Sequence, residues 1–453
     1  MMGAMDRFRI VVIGAGAAGE AAAHYAAAQG ARVAIVDREL FGGSCPFWAC
    51  MPSKALLHAA SVHHAGGDYP WPKASDFRDY MINRQEIDWP DDSSHVRSLE
   101  HAGVTVLRGH ARFSAPGRVT VETADGPSEL EAEAVILAIG SRPRMPDLPG
   151  LAEVDAWSNR QGTSTRELPE SLVILGAGPT GVELSQVYAR YGVPTTLIHP
   201  SKRVHDREHP RSSHFLARGL ERDGVVLRLG VRATGVEAGR GVGGAHRVTL
   251  DDGSSVDGHA LLMAIGREIP LDGLNLPAIG VEPTDGRLQV NGLRVAENVY
   301  AAGDVAGPEM HTHLAHYEGE LTARLALGEI AAADFSAIPR ATYTDPETAS
   351  VGLLVDAARE RGIDAVELSA EIATSSKGYV AQAEGHVTIV VDRAARVLVG
   401  AFMAGPAVSE TIHEAVLAVK SRTPIELLAD TIHAFPTVSR VLGGLFIRAA
   451  REL

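Results

Sequence analysis

The chain has 453 residues, of which 45% are apolar and 22% are charged, an ordinary composition for a globular protein. This length is enough for two to four domains, each with its own core. A net charge of −14 argues against nucleic acid as the main partner, because phosphate binding requires a basic surface. No apolar run approaches the roughly 20 residues of a membrane span, and the first residues lack the regions of a signal peptide. We therefore expect a cytoplasmic protein.

The chain opens with the pattern of a βαβ unit. An apolar run over 8–13 is followed by a glycine-rich turn, an alanine-rich helix and a second apolar strand that closes on Asp37. The turn consists of Gly14, Ala15, Gly16, Ala17, Ala18 and Gly19. Glycines at these positions allow a pyrophosphate to approach a helix N-terminus, and an acid at the end of the second strand suits a ribose hydroxyl. The pattern predicts a dinucleotide site.

Both cysteines of the chain, Cys45 and Cys50, lie in the next stretch, with four residues between them. A structural disulfide is one alternative, but a bridge over so short a loop adds little stability. Cα atoms five apart on an ideal helix lie roughly 8–9 Å from each other, whereas a disulfide needs about 4.4–6.8 Å. A bridge therefore requires an irregular helix start, which Pro46 and Pro52 favour. Two unpaired thiols are the other alternative; beside a nucleotide fold, we interpret the pair as redox-active.

Residues 53–150 carry weaker signals. His58, His63 and His64 lack a nearby cysteine or carboxylate that would complete a tetrahedral set, so we expect a solvated helix face and assign no metal site. A buried strand over 134–139 ends on Gly140, and residues 146–150 have the composition of a crossover between domains.

The opening pattern repeats about 160 residues later, where an apolar strand leads into Gly176, Gly178 and Gly181 and then into a helix. Two such fingerprints predict duplicated nucleotide-binding domains, one for each of two dinucleotides. The strand after the second helix is followed by Lys202 and Arg203 instead of an acid. Basic residues suit a 2′-phosphate, so we expect NADPH, with NADH as the alternative. The competing interpretation is that the two side chains merely cover a loop.

Two later segments extend the duplication. The strand that ends on Gly266 echoes the strand that ends on Gly140, and the strand over 299–302 ends at Gly303 and Asp304, whose carboxylate suits a ribityl or ribose hydroxyl. From about residue 341, strand-like runs alternate with helices, which predicts an α+β domain with an antiparallel sheet. This last domain has no fingerprint, so we assign it to assembly or substrate contact.

Together these motifs resemble the class I pyridine nucleotide–disulfide oxidoreductases of the glutathione reductase, lipoamide dehydrogenase and mercuric reductase type, over nearly the whole chain. The resemblance implies an α/β fold of two Rossmann-like dinucleotide-binding domains plus a C-terminal α+β dimerisation domain. It implies an FAD-binding domain at 1–147 and 268–335, an NAD(P)H-binding domain at 148–267 and an interface domain at 340–453. It also implies a homodimer, in which the C-terminal domain of one subunit completes the substrate site of the other.

The resemblance also implies roles for single residues. Cys45 is then the interchange thiol that faces the substrate, and Cys50 is the charge-transfer thiol beneath the flavin. Lys54 and Glu183 are expected to pair near the flavin N5. The residues expected to bind FAD are Gly14, Gly16, Ala17, Ala18, Gly19, Asp37, Gly43, Ser44, Lys54, Gly140, Gly303 and Asp304. The residues expected to bind NAD(P)H are Gly176, Gly178, Gly181, Lys202, Arg203 and Gly266.

The sequence departs from the family at the acid–base group near the C-terminus. The family pattern there is His-x-His-Pro-Thr followed shortly by a glutamate, but Phe435 stands at the second histidine and Arg440 at the glutamate. Phenylalanine cannot carry a proton and arginine is not deprotonated in proteins, so we do not expect efficient turnover of lipoamide or glutathione. His433 is the alternative proton donor, although the pattern already has a histidine there in a non-catalytic role.

We therefore expect an FAD-dependent NAD(P)H oxidoreductase that passes electrons through FAD and the Cys45–Cys50 disulfide to a disulfide, a quinone or another small acceptor. A dihydrolipoamide dehydrogenase-like or mercuric reductase-like enzyme is the alternative. No further cysteine pair follows Arg440, which argues against mercury reduction in that form. A flavin-bound redox sensor without turnover is the non-enzymatic alternative, and the joint retention of both cysteines, Lys54 and Glu183 argues against it.

Overall fold

A computed structural model describes residues 6–84 and 89–453. Its strands are β1 (Asp6–Ile13), β2 (Val33–Asp37), β3 (Thr105–Ala115), β4 (Arg118–Thr123), β5 (Gly126–Leu137), β6 (Arg142–Pro143), β7 (Leu172–Leu175), β8 (Thr195–His199), β9 (Val226–Leu229), β10 (Ala233–Glu237), β11 (His246–Leu250), β12 (Ser255–Gly258), β13 (Ala260–Met263), β14 (Arg267–Glu268), β15 (Arg294–Ala296), β16 (Val299–Ala301), β17 (Arg340–Thr342), β18 (Glu347–Gly352), β19 (Ala365–Glu371), β20 (His386–Asp392) and β21 (Val397–Gly405). Its α-helices are α1 (Ala17–Ala28), α2 (Ser44–Trp48), α3 (Cys50–His64), α4 (Trp71–Met81), α5 (Ser93–His101), α6 (Asn159–Ser164), α7 (Pro179–Arg190), α8 (Pro210–Arg222), α9 (Thr312–Ala326), α10 (Val355–Glu360), α11 (Ser376–Ala381), α12 (Val408–Ser421), α13 (Ile425–Asp430) and α14 (Val438–Glu452).

The described residues divide into two compact units. The first contains the residues up to Ala55 together with Ser75–Arg144 and Gly266–Ala333, and the second contains Leu56–Ala74, Met145–Ile265 and Asp334–Leu453.

The first unit is organised around a sheet of seven strands with β1 near its centre. β1 pairs in parallel with β2 and with β5, so that Ile10 lies opposite both Val33 and Ala134. β5 also pairs in parallel with β16, and β4 joins β3 and β5 in antiparallel pairs. Central parallel strands are covered on both faces, which explains why β1 and β2 are continuous apolar runs rather than alternating ones.

Helices α1 and α9 pack closely in the first unit. A Cβ atom at Gly319 of α9 would lie 2.1 Å from the carbonyl oxygen of Ala18 in α1. Only glycine permits this backbone approach. The contact fixes the middle of α9 against the start of α1, where the predicted dinucleotide turn lies.

The second unit contains a second parallel sheet, in the order β13-β7-β8-β9, in which Leu172 lies opposite both Ala260 and Thr195. Helix α7 follows β7 and buries most of its length, including Tyr188, whose hydroxyl donates to the carbonyl of Gly162 at 2.7 Å. A separate antiparallel sheet of β10, β11 and β12 belongs to the same unit.

The C-terminal part of the second unit is an antiparallel sheet of five strands in the order β17-β18-β21-β20-β19. Apolar residues of β20 and β21 share one core with α12 and α14. The α+β domain that the sequence predicts from about residue 341 is confirmed by this arrangement. None of the helices described in 6–84 and 89–453 has both the length and the apolar run that a bilayer crossing requires.

Candidate functional site

The first glycine-rich turn is packed so tightly that two of its positions demand glycine. Gly14 has φ +101°, and a Cβ atom there would lie 2.2 Å from the carbonyl oxygen of Ala138. A Cβ atom at Gly19 would lie 1.9 Å from the carbonyl oxygen of Gly14. The turn therefore brings the end of β1 directly to the start of α1, with Gly16, which has no side chain of its own, at the helix cap.

A second glycine turn lies against the first. Gly43 has φ +71°, and a Cβ atom there would lie 2.7 Å from the Cα atom of Gly16. Ser44 follows directly as the first residue of α2. Backbone of this kind, stripped of side chains at a helix start, is what the pyrophosphate of a dinucleotide requires. The space that these glycines keep clear fits the predicted FAD site.

Asp37 supports the first turn from the end of β2. One carboxylate oxygen accepts a hydrogen bond from the Ala15 amide at 2.7 Å, and the other accepts from the Glu39 amide at 2.7 Å. Burial raises the pKa of Asp37, and the two amide hydrogen bonds oppose that shift. The acid that the sequence analysis assigned to a ribose thus lies beside the turn, and its ribose contact stays a prediction.

The Gly303–Asp304 segment lies at the same place. A Cβ atom at Gly303 would lie 3.2 Å from the Cβ atom of Ala18, so this turn reaches the first residues of α1. The Asp304 carboxylate accepts a hydrogen bond from the Ser141 hydroxyl, next to Gly140, and lies 3.7 Å from the Arg267 guanidinium. The structure therefore brings the predicted FAD motifs of the first unit together.

Glu318 of α9 belongs to this neighbourhood and was missed by the sequence analysis. Its side chain is fully buried, and one oxygen accepts a hydrogen bond from the Gly303 amide at 2.7 Å. The other oxygen has no hydrogen-bond partner among the described residues. Burial raises the pKa of Glu318 to about 7. No sequence motif marks this carboxyl group, because its partner lies 15 residues earlier in a turn.

The two cysteines lie on two short helices that meet at a break. Cys45 is in α2 and Cys50 begins α3, while Ala49 between them leaves the helix with φ −130° and ψ −91°. Both cysteines are half-buried. Cys50 Sγ lies 3.4 Å from the hydroxyl oxygen of Thr312, the first residue of α9. The irregular helix start that a bridge would need is therefore present, and Thr312 is a second contact that the sequence analysis missed.

The surroundings of Cys45 change the pKa of its thiol. A hydrogen bond to Cys50 is the main cause that raises the pKa of the Cys45 thiol, and burial adds to it, while Thr312 and Lys54 oppose the shift. This shift favours the protonated form of the Cys45 thiol. The roles that the resemblance implies, interchange for Cys45 and charge transfer for Cys50, stay predictions.

The second glycine-rich turn repeats the geometry of the first. Gly176 has φ +108°, and a Cβ atom there would lie 2.3 Å from the carbonyl oxygen of Ala264. A Cβ atom at Gly181 would lie 1.9 Å from the carbonyl oxygen of Gly176, and Gly178 caps α7. The second unit thus offers the same cleared backbone for a second dinucleotide.

The end of β8 shows where this turn differs from the first. His199 Nδ1 accepts a hydrogen bond from the Ala177 amide at 3.4 Å, the place that Asp37 takes in the first turn. Burial lowers the pKa of His199, so this ring is neutral at neutral pH. Arg203 turns inward and donates to the carbonyls of Asp206 and Glu208 at 3.0 and 3.4 Å. Of the two predicted cations, Lys202 is therefore the exposed one.

Three further assignments from the sequence stay predictions. Glu183 is 3% exposed and accepts a hydrogen bond from the Tyr343 amide at 3.1 Å within the second unit. Lys54 belongs to the first unit, so its expected pairing with Glu183 stays a prediction. Gly266, expected at the NAD(P)H site, has φ +114° and also belongs to the first unit.

In the segment 431–440, Phe435 is exposed and the His433 side chain is buried. The His433 side chain is 5% exposed, and its Nε2 lies 2.8 Å from a carboxylate oxygen of Glu414. A Cβ atom at Gly443 would lie 2.4 Å from His433 Nδ1, so the ring is packed against α14. Phe435, in contrast, is 72% exposed, and Arg440 is exposed as well. This burial argues against His433 as the substitute proton donor.

Comparisons with known proteins agree with these features. Residues 8–319 match the family described as pyridine nucleotide-disulphide oxidoreductase, and residues 338–445 match the dimerisation domain of that family. The chain is 34% identical over 455 residues to a dihydrolipoyl dehydrogenase of Halobacterium salinarum, which covers 95% of this chain and 94% of the relative. It is 34% identical over 469 residues to dihydrolipoyl dehydrogenase 3 of Pseudomonas aeruginosa, with 97% of each chain covered.

Solved structures show the same fold. LpdA from Mycobacterium tuberculosis is 27% identical and superimposes with a TM-score of 0.85, over 98% of this chain and 99% of that one. The HOCl-induced flavoprotein disulfide reductase RclA from Escherichia coli is 24% identical, with a TM-score of 0.86 over 97% of this chain and 99% of that one, and supports the fold alone. The chain therefore belongs to the pyridine nucleotide-disulphide oxidoreductase family, whose members bind FAD and NAD(P)H, and it is an FAD-dependent oxidoreductase.

Proposed function

We propose that this enzyme carries two electrons from NAD(P)H through FAD and the Cys45/Cys50 pair to a small quinone. The observation that carries the proposal is the C-terminal segment, where an exposed Phe435 stands at the position of the family's base. The one histidine of the segment 431–440, His433, is buried and paired with Glu414.

The residues of the first unit fit the flavin cofactor and would hold it. Gly14, Gly19 and Gly43 keep the backbone clear for the pyrophosphate, and Asp304 offers a carboxylate beside them. FAD, when bound, supplies a centre that accepts hydride from NAD(P)H and releases electrons to a second acceptor. Cys50 would serve that centre as the charge-transfer thiol, and Cys45 would exchange with the substrate, as the resemblance implies.

Proton transfer distinguishes the possible acceptors. The overall reaction is NAD(P)H plus a proton plus a quinone, giving NAD(P)⁺ and a hydroquinone. A hydroquinone takes its protons from water once its oxygens are reduced, so no positioned base is required. A disulfide acceptor releases thiols whose protons must be moved while the mixed disulfide forms and breaks. Phe435 cannot do this, which is why we place the quinone first.

A second candidate is dihydrolipoamide oxidation by NAD⁺, giving lipoamide, NADH and a proton. Two observations favour it: curated relatives with 34% identity are dihydrolipoyl dehydrogenases, and the thiol pair with its Thr312 contact is retained. This activity then needs a base from outside the 431–440 segment.

Steady-state assays of the purified holoenzyme separate the two candidates. With NADPH as donor, we expect kcat/KM for menadione to exceed that for lipoamide by about 100-fold, the usual contribution of a positioned acid–base group. The Cys45→Ser variant serves as the control for thiol involvement. Faster turnover of lipoamide than of menadione by the wild type would overturn the quinone proposal.

The arrangement of the chain around this chemistry is also our proposal. We assign 1–147 and 268–335 to FAD, 148–267 to NAD(P)H and 340–453 to the interface of a homodimer. The match to the family's dimerisation domain over 338–445 supports the dimer. A cytoplasmic location stays a prediction from the sequence.

A further inference from the structure

A cleft of about 430 Å³ opens in the C-terminal part of the second unit, between the segment 370–377 and the first turns of α14. The side chains that matter to its chemistry are Lys377, Phe435, Arg440 and Arg448. Residues Phe435 and Arg440, which replace the family's proton-transfer pair, thus line one cleft together. We call it the Phe435–Arg440 cleft.

The unneutralised charge of this cleft is positive. Arg448 lies 3.1 Å from Glu452, and the Glu371 carboxylate at the rim is bound to Arg211. Arg440 and Lys377 have no carboxylate within ion-pair distance in residues 6–84 and 89–453. Two cations that face a shared cavity without counter-charges attract an anion, and the guanidinium group of arginine in particular can donate to two oxygens of one acid group.

The same cleft presents an aromatic surface. The Phe435 ring is 72% exposed and is followed by Pro436, which also lines the cavity. An exposed ring beside unpaired cations suits a ligand that carries both a flat apolar body and an acid group.

We propose that the Phe435–Arg440 cleft binds an anionic aromatic acceptor, a quinone that carries a carboxylate or sulfonate. Phe435 contacts the ring, and Arg440 and Lys377 contact the acid group. This inference rests on the proposed quinone reduction and names its substrate class. It also accounts for both differences from the family at once. Phe435 and Arg440 replace a pair that transfers a proton, and together they can bind an aromatic ring and an anion.

The kinetic test compares two naphthoquinones of similar size, one with a sulfonate and one neutral, with the NADPH-reduced holoenzyme. In Arg440→Gln and in Lys377→Gln, we expect the ratio of KM for the sulfonated to KM for the neutral quinone to rise about tenfold, the contribution of one charge-assisted hydrogen bond. Arg361→Gln is the matched control, because Arg361 is exposed, lies outside the cleft and has no ion pair in the described chain. Flavin content checks the folding of each variant.

A binding measurement separates this inference from the proposed function. Naphthalene-2-sulfonate and neutral 2-naphthol cannot accept electrons, and calorimetric titration of the holoenzyme gives their Kd values whether or not quinones turn over. We expect the Kd of the sulfonate to be lower than the Kd of the naphthol. We expect the Kd of the sulfonate to rise about tenfold in Arg440→Gln and to rise in Phe435→Ala as well. Equal binding of both compounds, or equal losses in Arg440→Gln and Arg361→Gln, would overturn the inference even if quinone reduction is observed. A lack of quinone turnover with the expected binding pattern would instead count against the proposed function alone.

Discussion

His433 Nε2 lies 2.8 Å from a carboxylate oxygen of Glu414, and this contact holds the ring inside the C-terminal domain. The same ring packs against Phe446 and against the backbone at Gly443. A histidine held in this way serves the packing of α12 and α14, which is why the segment has no base to offer a substrate.

Replacement of His433 tests this structural role. In His433→Gln we expect the free energy of unfolding to fall by about 1–3 kcal/mol, because a buried partner of Glu414 is removed. We expect the pH profile of kcat for quinone reduction to keep its shape. Denaturant titration followed by circular dichroism gives the first quantity, and steady-state kinetics across pH gives the second.

Glu414→Gln is the matched variant for this pair. It should lose a similar amount of stability and leave the pH profile unchanged as well. The contrary result is a pKa in the pH profile of kcat that disappears in His433→Gln and shifts in Glu414→Gln. In that case His433 is the base, and the quinone proposal loses its main support.

Restoration of the family's proton-transfer pair tests the second candidate function. In the double variant Phe435→His with Arg440→Glu, we expect dihydrolipoamide oxidation to rise at least about tenfold, since a positioned histidine and its orienting carboxylate contribute 10²–10⁴ in a site built for them. Dihydrolipoamide-dependent NADH formation measures the gain, with each single variant as a control. A double variant that stays at the wild-type level would show that the missing base is not what excludes this substrate.

The two dinucleotide turns could be predicted from local sequence patterns. The turns at Gly14–Gly19 and Gly176–Gly181 combine a strand, a tight turn and a helix within a few residues, so short-range steric demands identify them. Asp37 could be identified for a similar reason, because it lies at the end of β2, the second strand of the same βαβ motif.

Contacts between distant residues could not be predicted in this way. Thr312 meets Cys50 across 262 positions, and Glu318 meets the Gly303 amide because α9 returns to the sheet. The direction of Arg203 toward backbone carbonyls depends on the loop that follows β8, which sequence spacing does not define. Burial of His433 depends on Glu414, which lies 19 residues earlier on another helix.

The two basic residues after β8 are expected to act differently. In Lys202→Ala we expect KM for NADPH to rise about fivefold with KM for NADH unchanged, as for an exposed ion pair with the 2′-phosphate. In Arg203→Ala, KM should rise for both nucleotides, because the loop loses the hydrogen bonds that position it. Paired steady-state assays measure both effects, and a strong preference of the wild type for NADH would contradict the assignment.

The buried carboxyl group of Glu318 predicts a pH dependence of folding stability. Its pKa is raised from 4.5 to about 7, so the folded state favours the protonated carboxyl group, and stability is lost as pH rises through that value. We expect the free energy of unfolding to be about 2 kcal/mol lower at pH 8.5 than at pH 5.5. In Glu318→Gln the dependence should largely disappear, since glutamine keeps an acceptor for the Gly303 amide and does not ionise.

Flavin fluorescence released during denaturant titration at several pH values measures this effect. Glu320→Gln is the control, because residue 320 is an exposed acid on the same helix. An equally steep pH dependence in Glu318→Gln would show that another group is responsible.

Anaerobic titration of the oxidised holoenzyme with NADPH tests most directly whether electrons from NAD(P)H pass through FAD to the Cys45/Cys50 pair. We expect the first equivalent of NADPH to produce a long-wavelength absorbance band of a thiolate beside oxidised flavin. We expect Cys50→Ser to lack this band and Cys45→Ser to show it without any reductant. If the first equivalent bleaches the flavin with no such band, the cysteines lie outside the electron route. If neither NADPH nor NADH bleaches the flavin or produces the band, the protein does not carry electrons from NAD(P)H to FAD.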